Sequence, residues 1–176
     1  MRWSDIGHSS CSIARALAIV GDRWTMLILR EAFFGVRRYE DFQRLTQASP
    51  RLVADRLGKL VAEGVLEKRL YRERPTRHEY RLTEKGRELH PVMVTLSLWG
   101  QRWMGDPARP PVTLRHRPDR GCGRPTRPVL VCRECGEPVG AHDIAVEFGE
   151  EYADERAALA GPAQQPGRPP PEGVDP

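Results

Sequence analysis

The sequence predicts a mainly α-helical fold with a small β-wing, followed by a small β-rich appendage. Three features carry that expectation. Apolar residues recur at helical spacing on both sides of one short strand-like stretch. Residues 49–83 read, in order, as helix, turn, strand, basic tip, strand and helix start. Beyond a proline-rich run at residues 106–111, helical periodicity gives way to short apolar pieces around cysteines. A chain of 176 residues has room for one domain of ordinary size plus an appendage.

Ile13, Ala16, Leu17 and Val20 define a first helix by their spacing. Asp22 suits the cap of a second, residues 24–33, which is apolar on most sides and so expected in the core. Gly35 breaks it, and Tyr39, Phe42 and Leu45 mark a short third helix. Ser49 caps a fourth, with Pro50 at its first position and Gly64 as its stop. Val53, Leu57, Leu60 and Val61 share one side of that helix, which turns Arg51, Asp55 and Lys59 outward and leaves Arg56 at the margin. A strand at 65–71, a basic tip at 72–77 and a strand at 78–82 follow, and Thr83 caps the next helix. Leu89, Val92, Met93, Leu96, Trp99 and Trp103 then form an apolar stripe that needs a partner, with Pro91 setting a bend near His90. This order is that of a winged helix-turn-helix, the third and fourth helices being the pair and the basic tip the wing.

Charge agrees with that reading. The chain carries a net +4, but residues 1–105 hold 19 basic and 12 acidic side chains, residues 106–142 hold 7 and 4, and residues 143–176 hold 2 and 8. A polyanion is the natural partner of the front, and the acidic end would repel it. The candidate contacts to double-stranded DNA are Ser49, Arg51, Arg56 and Lys59 on the fourth helix and Arg72, Arg74 and Arg77 in the wing. An arginine can bond two acceptors of one guanine, whereas wing and backbone contacts set affinity without choosing sequence. Arg56 has an alternative, a bond to the preceding helix. Arg74 and Arg77 suit a minor groove or a phosphate, and Lys68 and Arg72 the DNA backbone. Trp24, Trp99 and Trp103 lie on helical stripes and read as core or dimer packing.

Cys132-Arg133-Glu134-Cys135-Gly136 has the spacing of a metal knuckle, and Cys122-Gly123 supplies a similar half ten residues earlier. Three thiolates need a fourth ligand for a tetrahedral Zn2+, His116 first and His142 second. A redox CxxC is the rival reading, but it belongs at a helix start in a thioredoxin-like unit that this chain lacks. Cys11 stands at the head of the first helix, where amide dipoles lower a thiol pKa; sensing and simple packing are its two fates. Four cysteines in this pattern suit a reducing, cytoplasmic compartment, and no apolar run has the length of a signal or a membrane span. Basic residues are 25 Arg to 3 Lys, the bias of a GC-rich bacterial genome.

Cys11-Ser12-Ile13-Ala14-Arg15, Gly21-Asp22-Arg23-Trp24-Thr25, Leu27-Ile28-Leu29-Arg30-Glu31, Gly35-Val36-Arg37-Arg38-Tyr39 and Tyr80-Arg81-Leu82-Thr83-Glu84-Lys85-Gly86-Arg87 together resemble the HxlR-type branch of the MarR-like regulators. The likeness runs from about Cys11 to Trp103. It implies a bacterial homodimeric transcription regulator, more often a repressor than an activator, acting at promoters. Dimerisation through the first helix and the 89–103 stripe would place two recognition helices about 34 to 36 Å apart, one turn of DNA. In some members a cysteine placed as Cys11 is a redox switch, and some carry a zinc-ribbon-like C-terminal extension similar to the one here.

The expected organisation is therefore a DNA-binding and dimerisation domain at 1–105, a linker at 106–111, a zinc-ribbon-like appendage at 112–146, and an acidic segment with a disordered Pro/Gly-rich tail at 147–176. The expected function is a sequence-specific regulator on a pseudo-palindromic operator, answering a small-molecule or oxidant inducer. No enzyme is implied, since there is neither a glycine-rich phosphate loop nor a nucleophile with a base at recognisable spacing. The competing readings are a zinc-ribbon interaction module using the winged helix as a dimerisation scaffold, and a thiol redox enzyme at Cys132 and Cys135.

Overall fold

The structure is a computed structural model and describes residues 3–106 and 108–160. The tail expected to be disordered, 161–176, lies outside the described residues, as does Pro107 of the linker. After a 3-10 turn at Trp3–His8 come α1 (Ser12–Val20), α2 (Arg23–Phe33), α3 (Tyr39–Thr46), α4 (Pro50–Ala62), β1 (Leu66–Arg72), β2 (Arg77–Leu82), α5 (Glu84–Arg87), α6 (His90–Met104) and α7 (Glu150–Ala160). The chain divides into two compact units. One is residues 19–145, and the other pairs residues up to 18 with those from 146 onward. The expected organisation places residues 1–18 with the winged helix.

In the larger unit the helical periodicities converge on one core. Ile28 and Leu29 of α2, Phe42 of α3, and Val53, Leu57 and Leu60 of α4 are fully buried, with Val65 and Leu66 closing the base of the wing. Burying each such side chain contributes roughly 1.5 to 3 kcal/mol. Phe42 meets Tyr80 of β2 edge to face at 6.3 Å, so the hairpin is fastened to the helix-turn-helix. The turn between α3 and α4 passes through Gln47 in the left-handed region at φ 56°. Its tightness brings the Tyr39 hydroxyl within 2.7 Å of the Pro50 carbonyl, which accepts its hydrogen bond.

The wing is a two-stranded antiparallel ribbon running from Leu66↔Leu82 to Arg72↔Arg77. Its last rung pairs Arg72 with Arg77, so the free tip is Glu73 to Thr76, narrower than the sequence suggested. Gly86 is indispensable behind it: a Cβ there would fall 2.2 Å from the Val65 carbonyl oxygen. Thr83 seals the same corner, its hydroxyl donating to the Gly64 carbonyl at 2.7 Å and accepting from the Gly86 N–H at 3.1 Å. The helix expected to bend near His90 is broken just before it, at Glu88 and Leu89, with Pro91 in the first turn of α6. Trp99 and Trp103 are 52% and 65% exposed, so they are not core residues of the chain.

The appendage is not β-rich. Among the described residues from 112 to 146 there is no strand, only isolated bridges Arg115↔Pro125 and Val131↔Pro138. Val129, Leu130 and Val131 are more than half exposed. Prolines at 118, 125, 128 and 138 lack the N–H a ladder requires, and no apolar layer covers the strand-like pieces.

Candidate nucleic-acid interface

The expected recognition helix, α4, begins at its cap. Ser49 is in extended conformation and its hydroxyl accepts the Leu52 N–H at 3.4 Å, with Pro50 in the first turn. That gives Ser49 a structural role at the interface edge. With Val53, Leu57 and Leu60 buried, Arg51, Asp55 and Lys59 are exposed on the opposite side. Arg51 has no ion pair or hydrogen bond among the described residues, so its guanidinium is available to a ligand. Arg56 is different. Its Nε donates to Asp22 Oδ1 at 2.8 Å, and both side chains are about one-third exposed. The structure thus engages Arg56 within the fold, though with the cap of α2 and not with the preceding helix α3.

Asp22 Oδ1 also accepts the N–H groups of Trp24 and Thr25, each at 3.1 Å. Burial would raise the Asp22 carboxyl, but the Arg56 hydrogen bond, the Thr25 and Trp24 amides and the Arg56 charge outweigh it and hold the carboxyl below its ordinary value. In the wing, the Arg72 Nε donates to the Arg74 carbonyl at 3.0 Å and the Thr76 hydroxyl to the Glu73 carbonyl at 3.1 Å, which shapes the tip from within. Arg74 and Arg77 are exposed beside it, as is Lys68 on β1.

Cys11 lies in the smaller unit, directly before α1. Its carbonyl accepts the Arg15 N–H at 3.0 Å. The Ala14 N–H bonds the thiol and the Tyr152 hydroxyl does so too, which together lower its pKa against burial and the Glu155 charge. Glu155 of α7 accepts from the Ser9 hydroxyl at 2.6 Å, the Ser10 N–H at 2.8 Å and the Ser10 hydroxyl. The acidic helix α7 is therefore bonded to the segment that presents Cys11.

The cysteines of the appendage stand as two separate halves. Cys132 donates its N–H to the Glu137 carbonyl and accepts the Gly136 N–H on its own carbonyl, each at 2.8 Å, and Gly136 permits the turn at φ 78°. The Cys135 and Glu134 amides and the Cys135 thiol bond the Cys132 thiol and lower its pKa. Gly123, behind Cys122, has φ 69°. The His116 N–H donates to the Arg124 carbonyl at 3.1 Å, closing the loop that carries Cys122. His116, Cys122, Cys132 and Cys135 are not brought together, however: among the described residues no three His, Cys, Asp or Glu side chains form a group able to hold a metal ion. His142 is exposed and joins no such group.

A capped helix with an outward arginine, locked to a helical core and flanked by a basic hairpin, defines a winged helix-turn-helix DNA-binding protein. The model of the HxlR-like helix-turn-helix family matches residues 19–107, and the chain belongs to that family. It is 42% identical over 154 residues to the uncharacterized HTH-type transcriptional regulator Rv3095 of Mycobacterium tuberculosis, covering 86% of this chain and 96% of the relative. Among solved structures, PA1607, a candidate transcription factor, superposes with a TM-score of 0.71 at 35% identity over 81% of this chain and 98% of that one. The redox regulator HypR in its reduced form superposes with a TM-score of 0.50 at 27% identity over 52% of this chain and 92% of that one. The chain is a transcriptional regulator with a helix-turn-helix DNA-binding domain, and not an enzyme. No helix among the described residues is long and apolar enough to cross a membrane.

Proposed function

We propose that the chain acts in the cytoplasm as a homodimeric repressor on a pseudo-palindromic operator. The observation that carries this is the unpaired Arg51 on α4, held at a fixed angle by Tyr39 and Asp22 beside a wing that exposes Arg74 and Arg77. Twofold symmetry would double that surface and match it to two half-sites. Val92, Leu96, Trp99 and Trp103, each about half exposed or more, supply the apolar face of α6 for the second copy. Sedimentation of the full chain with and without a duplex tests the assembly: a dimer that binds DNA two chains at a time supports it, and a monomer at all concentrations does not.

For the signal, the oxidant reading has the more specific support. Cys11 has a depressed pKa at a helix start, and the neighbour HypR is described as a redox regulator in both reduced and oxidized forms. A peroxide would transfer oxygen to the Cys11 thiolate, forming an S–O bond as the O–O bond breaks and yielding a sulfenic acid and hydroxide. A small-molecule inducer has its natural seat in the apolar cleft of about 870 Å3 between α2 and α6, lined by Met26, Phe33, Phe34, Met93 and Met104.

We also propose a structural Zn2+ in the appendage. The two-residue spacing of Cys132 and Cys135, with Gly136 at φ 78° permitting the turn behind them, supports this reading. Cys122 and His116, which the structure does not bring to that turn, would have to join it to complete the set. Such an ion would supply the ordering that the exposed Val129, Leu130 and Val131 do not.

A further inference from the structure

We propose that Arg38 is a further contact to the DNA backbone: a guanidinium seated on the Tyr71 ring, between the helix-turn-helix and the wing, that grips one phosphate. This rests on the reading of the chain as a duplex-binding regulator and extends it to a residue outside α4 and the wing tip.

The backbone of Arg38 is fixed from two sides. The Arg37 carbonyl accepts the Tyr80 N–H at 2.8 Å, and Arg38 forms a bridge with Glu79, so this short segment runs along the free edge of β2. Arg38 is also the cap residue of α3, yet its side chain makes no capping bond. It extends over Tyr71, with Cζ 5.3 Å from the ring centroid. A cation over an aromatic face is held electrostatically and keeps its N–H groups at the ring's margin available to a second partner.

Tyr71 reaches that position because of an irregularity in β1. The ladder pairs Leu70 with His78 and then Arg72 with Arg77, so Tyr71 is the extra residue of a bulge. A bulge releases one residue from strict alternation and re-aims its side chain. Here the re-aimed phenol is 38% exposed and carries the guanidinium of a different element.

The charge of Arg38 is left uncancelled. Among the described residues no carboxylate forms an ion pair with it. Glu79 is taken by Arg81 at 2.6 Å and Asp41 by Arg44 at 2.7 Å. An exposed cation whose side chain is already ordered in the free protein has lost little freedom left to lose on binding an anion. Its position at the start of α3 is apt, because the first helix of a helix-turn-helix pair crosses the DNA backbone. A phosphate there receives charge and a fork of donors without any base being read.

The test uses the full chain and a 30-base-pair duplex of mixed sequence, with binding followed by anisotropy across a series of KCl concentrations. Arg38→Ala and Arg38→Gln should weaken all duplexes alike and reduce the slope of log K against log salt by about 0.9 for each chain engaged. The thermal midpoint should stay that of the unaltered protein. Tyr71→Leu keeps the charge but removes its seat, and should weaken binding with little change in slope. A slope in both Arg38 variants equal to that of the unaltered protein overturns the proposal while leaving duplex binding intact. Salt-insensitive binding by the unaltered protein overturns the underlying reading and this contact with it.

Discussion

Asp22 Oδ1 accepts the Arg56 Nε at 2.8 Å while capping α2, so one carboxylate oxygen joins the recognition helix to the helix behind it. The pitch at which α4 presents Arg51 is thereby coupled, through Arg56, to a carboxylate that lies 34 residues before Arg56 in sequence.

Asp22→Ala should lower stability by about 1 to 2 kcal/mol at neutral pH, the sum of a lost cap and a partly exposed ion pair. Because the folded carboxyl lies below its ordinary 3.8, its contribution is fully present above that value and disappears as pH falls through the depressed folded value. Urea unfolding from pH 3 upward should show a constant gap between the two proteins near neutrality that closes in acid. A gap that persists undiminished at the acid end would remove the linkage.

Arg51→Ala should relax base preference, with a loss of roughly 1 to 3 kcal/mol confined to the cognate sequence. Arg72→Ala should weaken cognate and random duplexes alike. Binding to a panel of single-base operator variants separates the two, and identical profiles for both proteins would deny α4 its reading role.

Cys11→Ser should bind DNA in reducing conditions as the unaltered protein does, but should stay bound after peroxide treatment. The comparison is a gel shift with and without oxidant. Equal release by both proteins would place the signal elsewhere.

Protein purified without chelator should carry close to one equivalent of zinc per chain, lost when Cys132 and Cys135 are both changed to Ser. Removing the metal should disorder the appendage and spare the winged helix, since a closed tetrahedral site contributes about 10 to 16 kcal/mol of folding free energy. Zinc below about half an equivalent, or full retention by the double variant, would refute the site.

How much of this was legible in the sequence follows from which interactions are local. The helices and the hairpin were, because caps at Asp22, Ser49 and Thr83 and apolar periodicity act within one turn of chain. The outward face of α4 followed from the same period. What sequence alone left open was decided by distant partners: Arg56 at the margin of α4 meets Asp22, Glu155 meets Ser9 and Ser10, and Arg38 meets Tyr71. The bulge at Tyr71 leaves no mark in an alternating pattern. The β-like text of the appendage misled because apolar β-branched residues suggest strands, while the interspersed prolines deny them a ladder.

Footprinting the full chain on the intergenic DNA beside its own gene shows whether it binds DNA as a twofold regulator. A twofold regulator should give one protected region with two symmetric halves centred about one helical turn apart, and protection that weakens steeply as salt rises. No symmetric protected site, together with binding indifferent to salt, would contradict it.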